Sequence, residues 1–365
     1  MSYRAGSHGA GDLITERSLA VLRNGQSRSG AFVASPNFRV YNFGWLRDGA
    51  FCAYALDHVG QAPASAAWHR WVREAIERCR PRAEAVLARL ADGETPPGGE
   101  MLPARYTLDG AIEHEDPVDP WPNFQIDGYG MWLWSLEQHL AGNALDDGLA
   151  RTIELVGRYL AASWRLPCWS CWEEFNGGEH ASTLASACAG LEVAARLLGE
   201  SSFADEAERV RAELRSRYVT DGYVGLSPGD ARVDSSILWL GVPFGVFAVD
   251  DPLAVATVDE VKQQLIGPSG GVYRYRGDTY YGGGEWLLLT SSLAWHESVA
   301  GSGESAQLLH GWVRAQARED GDLPEQVTVA SQFPDEVEPW LERWGPVATP
   351  LLWSHAMFLI SETAA

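Results

Sequence analysis

Trp169-Ser170-Cys171-Trp172-Glu173-Glu174-Phe175-Asn176-Gly177-Gly178 sets two adjacent carboxylates after a tryptophan cluster and before a Gly-Gly loop. Neighbours on an extended chain point to opposite sides, so Glu173 and Glu174 are expected to do different jobs. A carboxylate walled by indole rings loses solvation and its pKa rises, which suits a general acid, and Trp169 and Trp172 could form that wall. The same stretch also fits an exposed acidic turn, so the rest of the chain must decide.

Four further segments could join it. Tyr41, Trp45, Arg47 and Asp48 precede a small-residue apolar segment; Arg47 and Asp48 could bind sugar hydroxyls beside two aromatic faces, and Asp48 also fits a helix cap. Trp121-Pro-Asn-Phe-Gln125-Ile-Asp127-Gly128 ends a loop at another apolar segment, with Trp121 and Gln125 expected to face the mouth and Asp127 a possible cap. Arg274 to Tyr281 runs through Gly282-Gly-Gly-Glu285-Trp286 into a helix; glycines permit the bends that bring Arg and Tyr donors to a ligand. Glu325, in Leu323-Pro324-Glu325-Gln326-Val327, taken alone reads as an ordinary loop acid.

The elements that must carry these residues are helical. Apolar spacing predicts a helix from near Asp12, an inner one over 49–59, and a charged stretch over 64–91 interrupted by Pro81. Further helices are expected over 128–141, 146–163, 180–198, 202–218, 234–247, 253–265, 286–299, 303–318 and 350–362. From 128 onward, helices apolar all round alternate with amphipathic ones. The physical sense is two concentric rings, because a helix apolar all round is buried and one with a single stripe lies outside. Long loops over 93–125, 220–233, 266–285 and 321–349 are rich in Gly, Pro, Trp and acids, and loops of that length usually carry function. If the helices pair antiparallel, these loops can share one mouth.

Composition narrows the partners. The 365 residues are 46% hydrophobic, enough for a large core, and 16 Trp suit a groove for the flat apolar faces of sugars. A net charge of −21 repels phosphate backbones and anionic membranes, so neither nucleic acid nor membrane is an expected partner. The N-terminus has no apolar core for a signal peptide, and no run approaches the roughly 18 apolar residues of a membrane helix. Of five cysteines, only Cys168 and Cys171 have ligand-like spacing, without the second pair a zinc site needs. We expect reduced, buried thiols, a cytoplasmic location, and no metal or cofactor.

Taken together and in this order, the segments resemble glycoside hydrolase family 15, the glucoamylase family, over roughly residues 13–362. The matching marks are Trp-x-Arg-Asp, the Trp121 to Asp127-Gly128 segment, Trp-Glu-Glu, an Arg-Tyr…Asp-x-Tyr loop, and Glu-Gln before a closing Trp-Ser helix. Residues 1–11 read as a flexible tail, and the resemblance implies an all-α (α/α)6 barrel over 12–365, with the active site in long loops at one end. It implies Glu173 as the general acid, Glu325 as the base that activates water, and Glu174 as a carboxylate near the leaving sugar. Tyr41, Trp45, Arg47 and Asp48 match the pocket for the terminal glucose, Arg274 an arginine on a sugar hydroxyl, and Trp121 and Trp172 aromatic walls. Tyr280, Glu285 and Trp286 join the substrate-binding set. The implied reaction is inverting hydrolysis, which needs carboxyls about 6.5–9.5 Å apart with water between. Two departures fall near the expected rim: Gly277 stands where fungal members carry Glu, and Glu285 where they carry Pro.

Without an export signal, a granule-binding module or the N-terminal β-sandwich usual in bacterial members, a short oligosaccharide is the expected substrate and only partner. The expectation is exo-acting release of β-glucose from the non-reducing end, with isomaltose-type α-1,6 disaccharides first. A maltose or malto-oligosaccharide glucoamylase, or a trehalase, is the alternative on the same barrel. From another class, a catalytically inactive sugar-binding or interaction barrel would have lost a catalytic carboxylate, and both are present. Oligomeric state is not legible.

Overall fold

Two kinds of helix alternate along the chain, and the computed structural model, which describes residues 13–113, 121, 123–175 and 177–364, sorts them into two rings. The tail expected over 1–11 lies outside the described residues. In order, the helices are α1 (Leu13–Asn24), α2 (Leu46–His58), α3 (Ala62–Arg78), α4 (Arg80–Ala91), α5 (Asp127–Leu140), α6 (Asp147–Ser163) and α7 (Ala181–Leu198). They continue as α8 (Ser201–Arg217), α9 (Pro252–Leu265), α10 (Leu287–Val299), α11 (Gly303–Ala315), α12 (Val337–Trp344) and α13 (Leu352–Ala364).

The inner ring closes on itself. Helix α2 packs on α5, α5 on α7, α7 on a 3-10 segment (Ser235–Leu240), that segment on α10, α10 on α13, and α13 back on α2. Outside, α3 lies on α2, α6 and α8 on α7, α9 on the 3-10 segment, α11 on α10 and α1 on α13. Burial follows this order. Helix α5 is buried at every position from Asp127 to Leu136, whereas α6 buries a stripe through Ile153, Val156 and Leu160. Helix α7 is long and apolar enough by length and composition to cross a membrane, which the sequence reading did not register; 72% of it is buried in the barrel. Small residues let α5 and α7 touch. A Cβ on Gly130 would stand 2.0 Å from the Ser186 carbonyl oxygen.

Two expectations are corrected. The helix expected over 234–247 is a 3-10 segment followed by turns, because Pro243 has no N–H to donate and Gly241 and Gly245 flank it. The loop expected over 321–349 contains α12, whose Val337, Trp340, Leu341 and Trp344 recur at helical spacing.

The connections set up the site. Short turns lead from inner to outer helices, as at 59–61, 141–146, 199–200 and 300–302, while long loops lead back inward to α2, α5, α7, α10 and α13. The long loops therefore gather where the inner helices begin. Antiparallel two-residue pairs stitch them: β1 (Gly44–Trp45) to β2 (Arg105–Tyr106), and β5 (Glu285–Trp286) to β6 (Gln326–Val327). A third pair, Val219–Thr220 with Tyr223–Val224, closes the hairpin after α8. All five cysteines are buried free thiols.

Candidate active site

At the mouth lies a cavity of about 560 Å³. Tyr41, Trp45, Arg47, Asp48, Trp121, Trp172, Glu173, Glu174, Arg274, Tyr280, Trp286 and Glu325 line it, every sequence-predicted site residue but Glu285. None of its lining comes from the loop over 220–233.

Glu173 and Glu174 sit in a turn, not an extended strand. The Glu173 amide donates to the Ser170 carbonyl (3.0 Å), the Ser170 amide to the Glu174 carbonyl (2.9 Å), and Glu173 occupies the left-handed region at φ 61°. A non-glycine residue there costs of order 1–3 kcal/mol and marks a site whose surroundings hold it. The turn still separates the two carboxyls. Trp45 Nε1 donates to Glu173 Oε1 at 2.6 Å, while Glu174 accepts from Arg274 Nη2 at 3.1 Å and from the Tyr275 hydroxyl. The wall expected from Trp169 and Trp172 is only partial: Glu173 keeps 30% side-chain exposure, and Trp172 donates its indole N–H to Asp234 at 2.7 Å.

Glu325 comes from the far side of the chain, held where β6 pairs with β5. It is 2% exposed, and burial pushes its carboxyl up to about 7, against the Tyr41 hydroxyl that donates to Oε1 at 2.9 Å and the nearby Arg274. Its Oε2 has no hydrogen-bond partner among the described residues. Tyr41 also shares a hydrogen bond with Tyr280 (3.0 Å), and its ring meets Trp45 edge-on at 5.8 Å. The two carboxyls are thus held by the two members of one aromatic pair.

Around them stand buried ion pairs. Arg47, at the start of α2, donates from Nη1 to Asp127 (2.9 Å) and Gln125 (3.1 Å), and its Nε lies 3.7 Å from Asp48. Burial pulls the Arg47 guanidinium down, but Asp127 and Asp48 outweigh it and the pKa is raised. Burial also pushes Asp48 up to about 7, with Arg47 opposing. Asp48 lies in the first turn of α2, where its own backbone N–H also works against that rise. Arg274 grips Asp278 with two bonds (2.7 and 2.5 Å) and lies 5.0 Å above the Trp286 ring.

Several donors in this wall have no hydrogen-bond partner among the described residues: Arg47 Nε and the indole Nε1 of Trp121, Trp169, Trp286 and Trp353. A cleft that offers apolar ring faces together with unspent N–H donors and buried carboxylates suits a polyhydroxylated ligand.

Glu285 is corrected. It is fully buried and bonds the amide of Ser269 (3.2 Å) and its hydroxyl, away from the cavity. Adjacent residues of β5 face opposite sides, so Trp286 takes the cavity and Glu285 the turn behind it. Gly277 is exposed, donates to Gln332 (3.2 Å) and does not line the cavity, and Gln125 is 1% exposed beneath Arg47, not at the mouth.

The sequence reading missed Arg105, Asp234 and the α12 side chains. Arg105 lies 4.4–4.8 Å from the rings of Phe43, Trp45 and Trp121, pairs with Glu113 at 2.6 and 2.8 Å, and approaches Glu173 to 3.9 Å. Only its pairing with Trp45 across β1–β2 marks it, which no local motif announces. Asp234, pushed up to about 6 by burial, caps the 3-10 segment and so does carry a local signal. Trp340, Arg343 and Trp344 of α12 form one side of the cavity, and their helical spacing was visible.

The profile of Glycosyl hydrolases family 15 matches residues 17–310. The chain is 38% identical to an isomaltose glucohydrolase of Kribbella flavida over 355 residues, 95% of this chain and 91% of that one. It is similar to a solved wild-type glycosidase (TM-score 0.91, 37% identity, 98% and 99% of the two chains), and to a variant solved with glucose to the same degree. A bacterial glucoamylase in complex with acarbose shares the fold at TM-score 0.72 and 20% identity, over 96% of this chain and 55% of that one.

Proposed function

The chain belongs to glycosyl hydrolases family 15 and is a glycoside hydrolase acting on α-glucosides, and from that premise we propose that it removes β-glucose from the non-reducing end of isomaltose and short isomalto-oligosaccharides. Glu173 protonates the glycosidic oxygen. Glu325, through Oε2, takes a proton from the water that attacks the anomeric carbon from the opposite face, so configuration inverts. Trp45 orients the acid and Tyr41 the base. Arg47 and Asp48 hold hydroxyls of the terminal glucose, and Glu174 with Arg274 holds the leaving sugar.

The observation that carries this reading is the pair of carboxyls facing one cavity from separate loops, each with its own orienting partner and one with an unpaired, buried oxygen. A volume near 560 Å³, walled on one side by α12, supports a short substrate. Likeness to an isomaltose glucohydrolase supports the α-1,6 linkage. Buried free thiols support a reducing, cytoplasmic setting.

The test is to incubate the protein with isomaltose, maltose and trehalose and follow the first-formed anomer by NMR. Isomaltose should be preferred and β-glucose should appear first, and Glu173→Gln should abolish turnover while glucose binding stays measurable. Faster maltose or trehalose cleavage overturns the linkage, and α-glucose as first product overturns inversion.

A further inference from the structure

At the end of the barrel away from the cavity, the structure brings together three side chains with metal-ligating atoms. Asp57 is in the last turn of α2, His69 in the middle of α3 and His139 in the last turn of α5. One ligand atom from each lies within 4.8 Å of the other two. Asp57 is nine residues past Asp48, so roughly 14 Å of helix separates this cluster from the cavity.

Hydrogen bonding accounts for two of the three. His139 Nδ1 lies 3.0 and 3.1 Å from the two Asp57 oxygens, and the Ser65 hydroxyl donates to Asp57 Oδ2 at 2.7 Å. It does not account for His69. That imidazole is 5% exposed, stacks on His139 at 4.8 Å between centroids, and has no hydrogen-bond partner for either ring nitrogen among the described residues. Buried polar atoms are nearly always satisfied, so such a ring beside a carboxylate and a second imidazole is an unusual thing for a chain to bury.

We propose that Asp57, His69 and His139 bind a divalent transition-metal ion of the Zn²⁺ type, which clips α2, α3 and α5 together at the base of the barrel. Two imidazoles and a carboxylate are the ligand set such ions prefer over Mg²⁺ or Ca²⁺. Tetrahedral ligands at about 2.0–2.2 Å from an ion stand about 3.4 Å apart, so His139 and Asp57 open by a few tenths of an ångström while the His69 ring closes by up to about 1.4 Å, leaving a fourth position for water. The ion takes the place of the proton between His139 and Asp57, and that proton leaves to solvent. Asp57 and His139 keep 16% and 19% side-chain exposure, which gives the ion a way in.

The experiment uses the full chain stripped with a chelator, then titrated with Zn²⁺ and, separately, with Co²⁺. One equivalent of Zn²⁺ per chain by mass spectrometry, a rise of a few degrees in Tm, and visible absorption from bound Co²⁺ are expected. His69→Gln and Asp57→Asn should each lose all three while keeping kcat, since neither residue touches the cavity. Less than about a tenth of an equivalent bound at tenfold excess, or binding by His69→Gln equal to the parent, overturns the proposal. If His69→Gln does not fold, Asp57→Asn and the parent's stoichiometry decide it alone.

Discussion

Glu325 gives one oxygen to the Tyr41 hydroxyl and keeps the other unpaired inside a buried wall, and its proton affinity follows from that placement. Its carboxyl titrates at about 7 in the native state against about 4.5 ordinarily, so between those values the folded chain holds a proton that the unfolded chain has lost. Stability must therefore fall as pH rises through that window, by on the order of 3 kcal/mol for this group. Glu325→Gln escapes the penalty: its Tm relative to the parent should rise between pH 5 and pH 8, and a constant difference would refute the burial argument. If Glu325 is the base and Glu173 the acid, kcat/KM should trace a bell, climbing as Glu325 loses its proton and falling as Glu173 loses its own; Glu325→Gln should remove the rising limb along with turnover, and a profile flat across it would refute the assignment. Most of these residues were legible because each sits in a compact motif: Trp172-Glu173-Glu174, Trp45 to Asp48, Arg274 to Tyr280. Arg105 was not, since what makes it part of the site is a set of three aromatic rings, Phe43 and Trp45 from the loop before α2 and Trp121 sixteen residues further along its own loop.

Among the elements, the shortest had the largest effect on the reading. Strand β5 has two residues, and their alternation sends Trp286 into the cavity and Glu285 behind it. Glu285→Gln should accordingly leave KM for isomaltose within about twofold of the parent. Trp286→Ala should raise it about tenfold or more, near 1.4 kcal/mol of lost binding. Equal effects would mean that both face the sugar. Sequence alone could not orient this pair, because two residues carry no period. Helix α12 was within reach, with four apolar residues at helical spacing, but eight residues are short of the window over which such spacing stands out. The 3-10 segment was overextended for the opposite reason: Ile237 to Phe247 is apolar throughout, and periodicity cannot say where a buried helix stops when Pro243 must.

On the scale of the molecule, two rings were legible because burial is a composition signal: α5, α7 and α10 are apolar all round, and α3, α6 and α8 are not. What composition could not say is that the loops feeding α2, α5, α7, α10 and α13 all end at one face, which follows only once the inner helices are seen to run in parallel. The same wiring runs α1 antiparallel to α13, as the contacts Ser18–His355 and Gly25–Leu352 show, so the start of α1 and the end of α13 both lie toward the base. Joining those ends with a flexible linker and reopening the chain at the Gly199–Glu200 turn, exposed and far from the mouth, would cut none of the segments that hold the sugar. A circular permutant of that kind should retain kcat/KM on isomaltose within a few fold of the parent, whereas one opened inside the loop between Gly267 and Gly284 should be inactive. The order of the helices in sequence would then be incidental to the enzyme, and only their order around the ring essential.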